Sequence, residues 1–125
     1  MYRSSKWEFL MKTYLVVARG ETQGTRFLLR EGTNLVGRWD PDSGAFPEVD
    51  LESHDPEAKV SRRHAIIEFN ESEIKVEDVG SLNGTFINRG KRLEPGTKHA
   101  LKAGDELIIG KTFLSVVEEV PDDTQ

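Results

Sequence analysis

His64-Ala65-Ile66-Ile67-Glu68-Phe69-Asn70, then Glu71-Ser72, then Glu73-Ile74-Lys75-Val76-Glu77-Asp78-Val79 is the stretch whose period decides the fold. Apolar and polar side chains alternate on both sides of a short polar break, the pattern of two antiparallel strands closed by a hairpin turn. The same period of two recurs in Thr13–Ala18, Arg26–Arg30, Asn34–Gly37, Thr85–Asn88, Thr97–Leu101, Glu106–Gly110 and Thr112–Glu118, with weaker runs at Val49–Leu51 and Lys91–Leu93. Turn residues punctuate them at Gly20 to Gly24, Glu31-Gly32, Pro95-Gly96 and Ala103-Gly104-Asp105. Asn83-Gly84 has the chemistry of a type I′ turn, in which both central residues take positive φ. No segment sustains a 3.6-residue period with caps. About eleven short strands at this spacing predict an all-β sandwich.

The 125 residues suit one domain with a single core. A net charge of −5 argues against a general nucleic-acid binder, which needs a basic face. The chain has no cysteine, which removes disulfides, thiolate metal sites and a thiol nucleophile. No apolar run is long enough to span a membrane, and the first ten residues lack the core of a signal peptide. These features predict a cytoplasmic domain over residues 13–118, with a leader at 1–12 and an acidic, disordered tail at 119–125.

Charge is segregated along the chain. Seven acids and no base lie between Asp40 and Glu57, and four more acids lie at the end. Without those eleven, eleven acids stand against seventeen bases. The stretch Trp39–Lys59 also holds three of the five prolines, and a loop of this length in a small β domain is usually functional or mobile. Two runs are purely basic: Lys59, Arg62, Arg63 and then Arg89, Lys91, Arg92.

Several tempting motifs fail on spacing. Gly110-Lys111-Thr112 is not a phosphate loop, because five residues rather than four separate Gly104 from Gly110 and a strand follows instead of a helix. It reads as a hairpin turn. Asp40-Pro41-Asp42-Ser43-Gly44 starts like a calcium loop, but Ala45 and Leu51 occupy the positions that need glycine and glutamate. His54, His64 and His99 lack metal-ligand spacing, so no metal or other cofactor is expected. Ser61 with His64 suggests a hydrolase, yet Val60 and Arg62 flank the serine where a nucleophile elbow needs glycines. No enzyme is expected.

The informative constellation is Gly37-Arg38, Ser61-Arg62-Arg63-His64, Asn83-Gly84-Thr85 and Asn88, each where a strand meets a loop. In a sandwich, loops at one end converge. Arginine offers a planar fork that matches phosphate, serine a neutral donor, and asparagine both a donor and an acceptor for a peptide backbone. Together these chemistries suit a phosphorylated, extended peptide.

In that order and combination, followed by Gly104-Asp105-Glu106-Leu107-Ile108-Ile109-Gly110, the motifs resemble the forkhead-associated (FHA) domain family over Tyr14 to Val117. The resemblance implies an eleven-stranded sandwich of the FHA/SMAD-like type. Its loops at one end would recognise phosphothreonine, written on a partner protein by a Ser/Thr kinase. Arg38, Ser61 and Arg62 would contact the phosphate, and Asn83 the peptide main chain, with Asn88 a secondary peptide contact. Gly37, His64, Gly84 and Thr85 would shape and brace the site. A phosphate-independent interaction module on the same fold is the alternative.

Two departures stand out. Leu82 precedes Asn83 where some members carry threonine, and Arg89 splits Asn88 from Gly90 and is expected to point into water. The acidic stretch would border the site, repelling acidic flanking sequence and favouring Lys or Arg near the phosphothreonine.

Overall fold

A computed structural model describes residues 11–120. Among them are ten strands: β1 (Lys12–Val17), β2 (Arg26–Leu28), β3 (Gly32–Gly37), β4 (Val49–Asp50), β5 (Arg63–Asn70), β6 (Glu73–Asp78), β7 (Thr85–Ile87), β8 (Lys98–Leu101), β9 (Glu106–Ile109) and β10 (Thr112–Glu119). They form two five-stranded sheets, in the orders β2-β1-β10-β9-β7 and β4-β3-β5-β6-β8. Every pairing is antiparallel except β3 with β4.

Alternation explains which face each strand buries. Leu15, Val17, Leu107, Ile109, Leu114 and Val116 from one sheet meet Val36, Ala65, Ile67, Ile74, Val76 and Leu101 from the other. The arrangement is the all-β sandwich that the alternating period predicts.

The strand count differs by one, at Lys91–Leu93. That segment lies against β7 through a single bond, Leu93 N–H to the Thr85 carbonyl (2.9 Å), and makes no ladder. Its Arg92 side chain turns instead to the carbonyls of Ser81 and Leu82, at 2.9 and 3.2 Å. At the ends, Lys12 pairs with Glu119, so the outer strands run one residue beyond the expected 13–118 on each side. The rest of the expected leader and tail, residues 1–10 and 121–125, lies outside the described residues.

Turn geometry redistributes the hairpin chemistry. Asn83 does not take positive φ, so Asn83-Gly84 is not a type I′ turn, although Gly84 sits at φ 95°. Left-handed pairs occur at Glu71-Ser72 (φ 50° and 72°), closing β5 to β6, and at Asn88-Arg89 (φ 51° and 60°). Gly110-Lys111 is a two-residue turn joining β9 to β10, since Ile109 pairs with Thr112.

Residues 39–59 are ordered rather than loose. Ala45, Val49 and Leu51 are fully buried, and Val49–Asp50 pairs in parallel with β3. Asp50 Oδ1 accepts the N–H groups of Trp39 and Glu52, and the Asp55 carboxylate accepts those of Lys59 and Val60. Glu48 accepts the Leu35 N–H. Three of the seven acids are therefore committed to holding backbone. No helix among the described residues is long and apolar enough to cross a membrane.

Candidate functional site

A β-bulge organises the site. Val36 pairs with Ala65 but Gly37 pairs with Arg63, so His64 is an extra residue in β5. His64 and Ala65 are consequently both fully buried, against the strict alternation of a regular strand. The bulge coincides with a close backbone approach. A Cβ on Gly37 would overlap the Arg62 carbonyl oxygen, to which the Arg38 N–H donates at 3.1 Å. Only glycine lets β3 end this close to the Ser61–Arg63 segment.

Arg38 is thereby delivered to that segment. Its Nε donates to the Val60 carbonyl at 2.7 Å, next to Ser61, and Nη1 lies 3.4 Å from Glu52 Oε1. The remaining guanidinium donors have no partner among the described residues, which leaves most of the fork available. Arg62 is more exposed, and its Nε pairs with Asp40 Oδ2 at 2.7 Å. Each expected phosphate-binding arginine thus already touches a carboxylate of the acidic stretch.

His64 ties two loops together. The Ser61 N–H donates to His64 Nδ1 (3.0 Å), which makes Nδ1 the acceptor; Nε2 therefore carries the proton and donates to the Gly84 carbonyl at 2.8 Å. With both ring nitrogens occupied by backbone, His64 has none left to take a proton from the Ser61 hydroxyl. This geometry disfavours a serine–histidine nucleophile. The Ser61 Oγ accepts the Leu82 N–H at 3.1 Å, so its own proton remains free to donate.

Burial disfavours a charged imidazole and holds the His64 pKa below its ordinary 6.5, against the opposing pull of the Gly84 carbonyl and the Asp78 and Asp55 charges. A histidine depressed in the fold contributes stability that is complete above pH 6.5 and is lost as pH falls below it. Melting temperature is therefore expected to decline between pH 7.5 and 5.5, and His64→Leu to flatten that decline while melting lower than Arg38→Ala. Thermal scans across this range check it; identical slopes for His64→Leu and the parent would count against the bracing role.

Asn83 donates through Nδ2 to the Lys59 carbonyl (3.1 Å), and its Oδ1 has no partner among the described residues. The loop beneath it is held by residues that the motif reading did not single out. Asp78 is fully buried and accepts from the N–H groups of Gly80 and Ser81 and the hydroxyls of Ser81 and Thr85. Ser81 Oγ in turn accepts the Gly84 N–H at 2.9 Å. Burial pushes the Asp78 carboxyl up, but these hydrogen bonds outweigh it and hold the group below its usual value. The sequence signal was available: Asp78-Val79-Gly80-Ser81 places a carboxylate before a glycine and a serine, as an Asx turn does.

Asn88 is engaged elsewhere. Its Nδ2 donates to Asp105 Oδ1 (3.0 Å) and its Oδ1 accepts the Glu106 N–H (2.8 Å), which locks the β7 turn onto β9. Both polar atoms of its side chain are thus committed within the fold. Arg89 does not simply enter water: it pairs with Glu106 at 2.8 Å. Beside Asn83 a groove of about 590 Å³ opens, lined by Lys59, Phe86, Ile108, Lys111 and Phe113 among others. Lys59 reaches this place from the loop before β5, its backbone packed against Gly110 of the β9–β10 turn and its carbonyl held by Asn83.

A two-sheet β sandwich with arginine, serine and asparagine gathered where loops meet is the architecture of a binding module. The FHA domain model matches residues 34–110, more than half of the chain, and the chain belongs to this family. An oxoglutarate dehydrogenase inhibitor of Corynebacterium efficiens is 47% identical over 97 residues, covering 78% of this chain and 59% of that protein. The glycogen accumulation regulator GarA of Mycobacterium tuberculosis is 42% identical over 112 residues, covering 87% of this chain and 61% of that protein. The chain thus spans about three fifths of these relatives' length. A solved structure from a study of phosphothreonine-dependent FHA domain interactions superposes with a TM-score of 0.67 at 29% identity, covering 89% of this chain and 99% of that one.

Proposed function

We propose that this chain reads phosphothreonine on a partner protein and does no chemistry on it. One observation carries the reading. The uncommitted groups around the Gly37 approach are those a phosphorylated, extended segment needs. They are the free donors of Arg38, the free hydroxyl proton of Ser61 and the free Oδ1 of Asn83. The phosphate, with three acceptor oxygens and about two negative charges, takes the Arg38 fork and the Ser61 hydroxyl. Asn83 Oδ1 accepts a main-chain N–H of the peptide. Arg62 adds a second charge once it leaves Asp40.

Gly37, His64, Gly84 and Thr85 hold this geometry rather than touching the ligand. The relatives named as an inhibitor and a regulator support a role exerted by binding. A kinase-written ligand and a chain without cysteine fit the cytoplasm. The test is a calorimetric titration with one peptide in three forms, carrying threonine, phosphothreonine or phosphoserine. Binding of the phosphothreonine form alone, or by at least about tenfold over the others, is expected. Equal binding of the threonine form would favour the phosphate-independent module.

A further inference from the structure

Five large apolar side chains are exposed among the described residues: Leu28, Trp39, Phe46, Leu82 and Val120. Three of them flank the arginine cluster. Leu82 precedes Asn83, while Trp39 follows Arg38 and lies against Phe46. The Trp39 and Phe46 rings meet edge to face, with centroids 5.2 Å apart and planes at 79°, and both residues are about half exposed.

This pair is displayed, not dangling. Asp40 and Ala45 exchange two backbone hydrogen bonds of 2.9 Å, closing residues 40–45 into a tight lap around the 3-10 turn Pro41–Ser43. Ala45 is fully buried at its base. The Arg63 guanidinium grips the Gly44 carbonyl at 2.6 Å, and the Trp39 N–H is held by Asp50. A rigid scaffold thus holds two aromatic rings with half of their surface left in water. Rigid exposed aromatics beside an arginine are the composition of a contact that a partner completes.

The lap also decides what kind of side chain it suits. Asp42 lies on it with no partner among the described residues, while Asp40 is paired with Arg62. An aromatic face beside carboxylates attracts a cation by the ring quadrupole and by charge. The rest of the acidic stretch is otherwise occupied: Glu48, Asp50 and Asp55 hold backbone, and Glu52 faces Arg38.

We infer that Trp39 and Phe46, with Asp42 of the same lap, form a second subsite that takes a lysine or arginine side chain of the same phosphorylated segment. The inference rests on the phosphothreonine reading above and names what that site selects beside the phosphate. Continuity comes through the chain: Trp39 directly follows Arg38, and Phe46 directly follows Ala45, the bridge partner of Asp40. A segment held by the phosphate at Arg38 has the ring pair one residue along the chain from that arginine.

The chain has two tryptophans, so Trp7→Phe leaves Trp39 as the only one and makes the rings their own probe. Phosphothreonine peptides with alanine flanks are compared with peptides carrying one arginine or one glutamate at each flanking position in turn. At one position, arginine is expected to bind about three- to tenfold tighter than glutamate and to change Trp39 emission. Trp39→Leu should bring that ratio close to one, and Asp42→Asn should reduce it. No position separating arginine from glutamate, or a preference that survives Trp39→Leu, would overturn the subsite while leaving phosphate recognition intact. Failure of every phosphopeptide, alanine-flanked ones included, would overturn phosphate recognition and the subsite with it.

Discussion

Arg38→Ala is expected to weaken phosphothreonine-peptide binding by about 2–5 kcal/mol, from roughly thirtyfold to several-thousandfold. A charge-assisted bond from a guanidinium contributes about 1.5–3 kcal/mol, and the fork supplies more than one. Loss of the side chain also leaves a dianion facing Glu52 with its counter-charge gone. Stability should suffer much less, because the side chain is one-third exposed and surrenders only its bond to the Val60 carbonyl and a long contact to Glu52. Arg38→Lys keeps the charge but not the planar fork, and should fall between parent and alanine. Calorimetric titration alongside melting curves checks the pair of claims. Equal affinity for parent and Arg38→Ala would remove Arg38 from the phosphate site.

Asp78→Ala is expected to cost about 3–5 kcal/mol of folding stability. It strands four donors, the Gly80 and Ser81 N–H groups and the Ser81 and Thr85 hydroxyls, in a place where water has no access to the carboxylate they now share. In a domain of this size that corresponds to a fall in melting temperature of more than about 10 °C. Asp78→Asn keeps one acceptor oxygen and should fall less far. The sign with pH follows from the lowered carboxyl: its contribution is complete above the ordinary carboxylate value near 3.8 and is lost as pH drops through the lower folded value. Acid unfolding of the parent below pH 4 should therefore be steeper than that of Asp78→Asn. Urea and thermal unfolding measure both, and an alanine variant as stable as the parent would contradict the account.

Regular structure was legible wherever one face of a strand is buried. The period of two in His64–Asn70 and Glu73–Val79 located β5 and β6 and their hairpin, because alternation is a direct image of one buried face. Departures from that period were not legible. The bulge buries His64 and Ala65 in succession, and a tertiary need, the approach of Gly37, creates it. Asn83-Gly84 looked like a hairpin turn because asparagine and glycine tolerate positive φ; the anchoring of Asn83 to Lys59 fixes another geometry.

Among the candidate site residues, Arg38, Ser61 and Asn83 stood out in the sequence by their chemistry, and each keeps an uncommitted donor or acceptor among the described residues. Asp78 was passed over because its Asx-turn pattern shows a local turn, not the burial that makes the carboxylate the hub of the loop. The commitment of the Asn88 amide to Asp105 and Glu106 was equally invisible before folding. The order of residues 39–59 was hidden too. Ala45, Val49 and Leu51 anchor it, and among so many acids only the short alternation at Val49–Leu51 hinted at them.

The Gly84 carbonyl accepts both the His64 imidazole and the Gly110 N–H, so a single oxygen is fastened to β5 of one sheet and to the β9–β10 turn of the other. The loop that carries Asn83 is therefore ordered before any ligand arrives. Little conformational entropy is left for binding to remove. Encounter need not wait for the loop to assemble, and differences between ligands fall on how long each complex lasts rather than on how fast it forms. Under the proposed phosphothreonine reading, residence time is then set by the peptide, and the protein contributes a fixed receptacle.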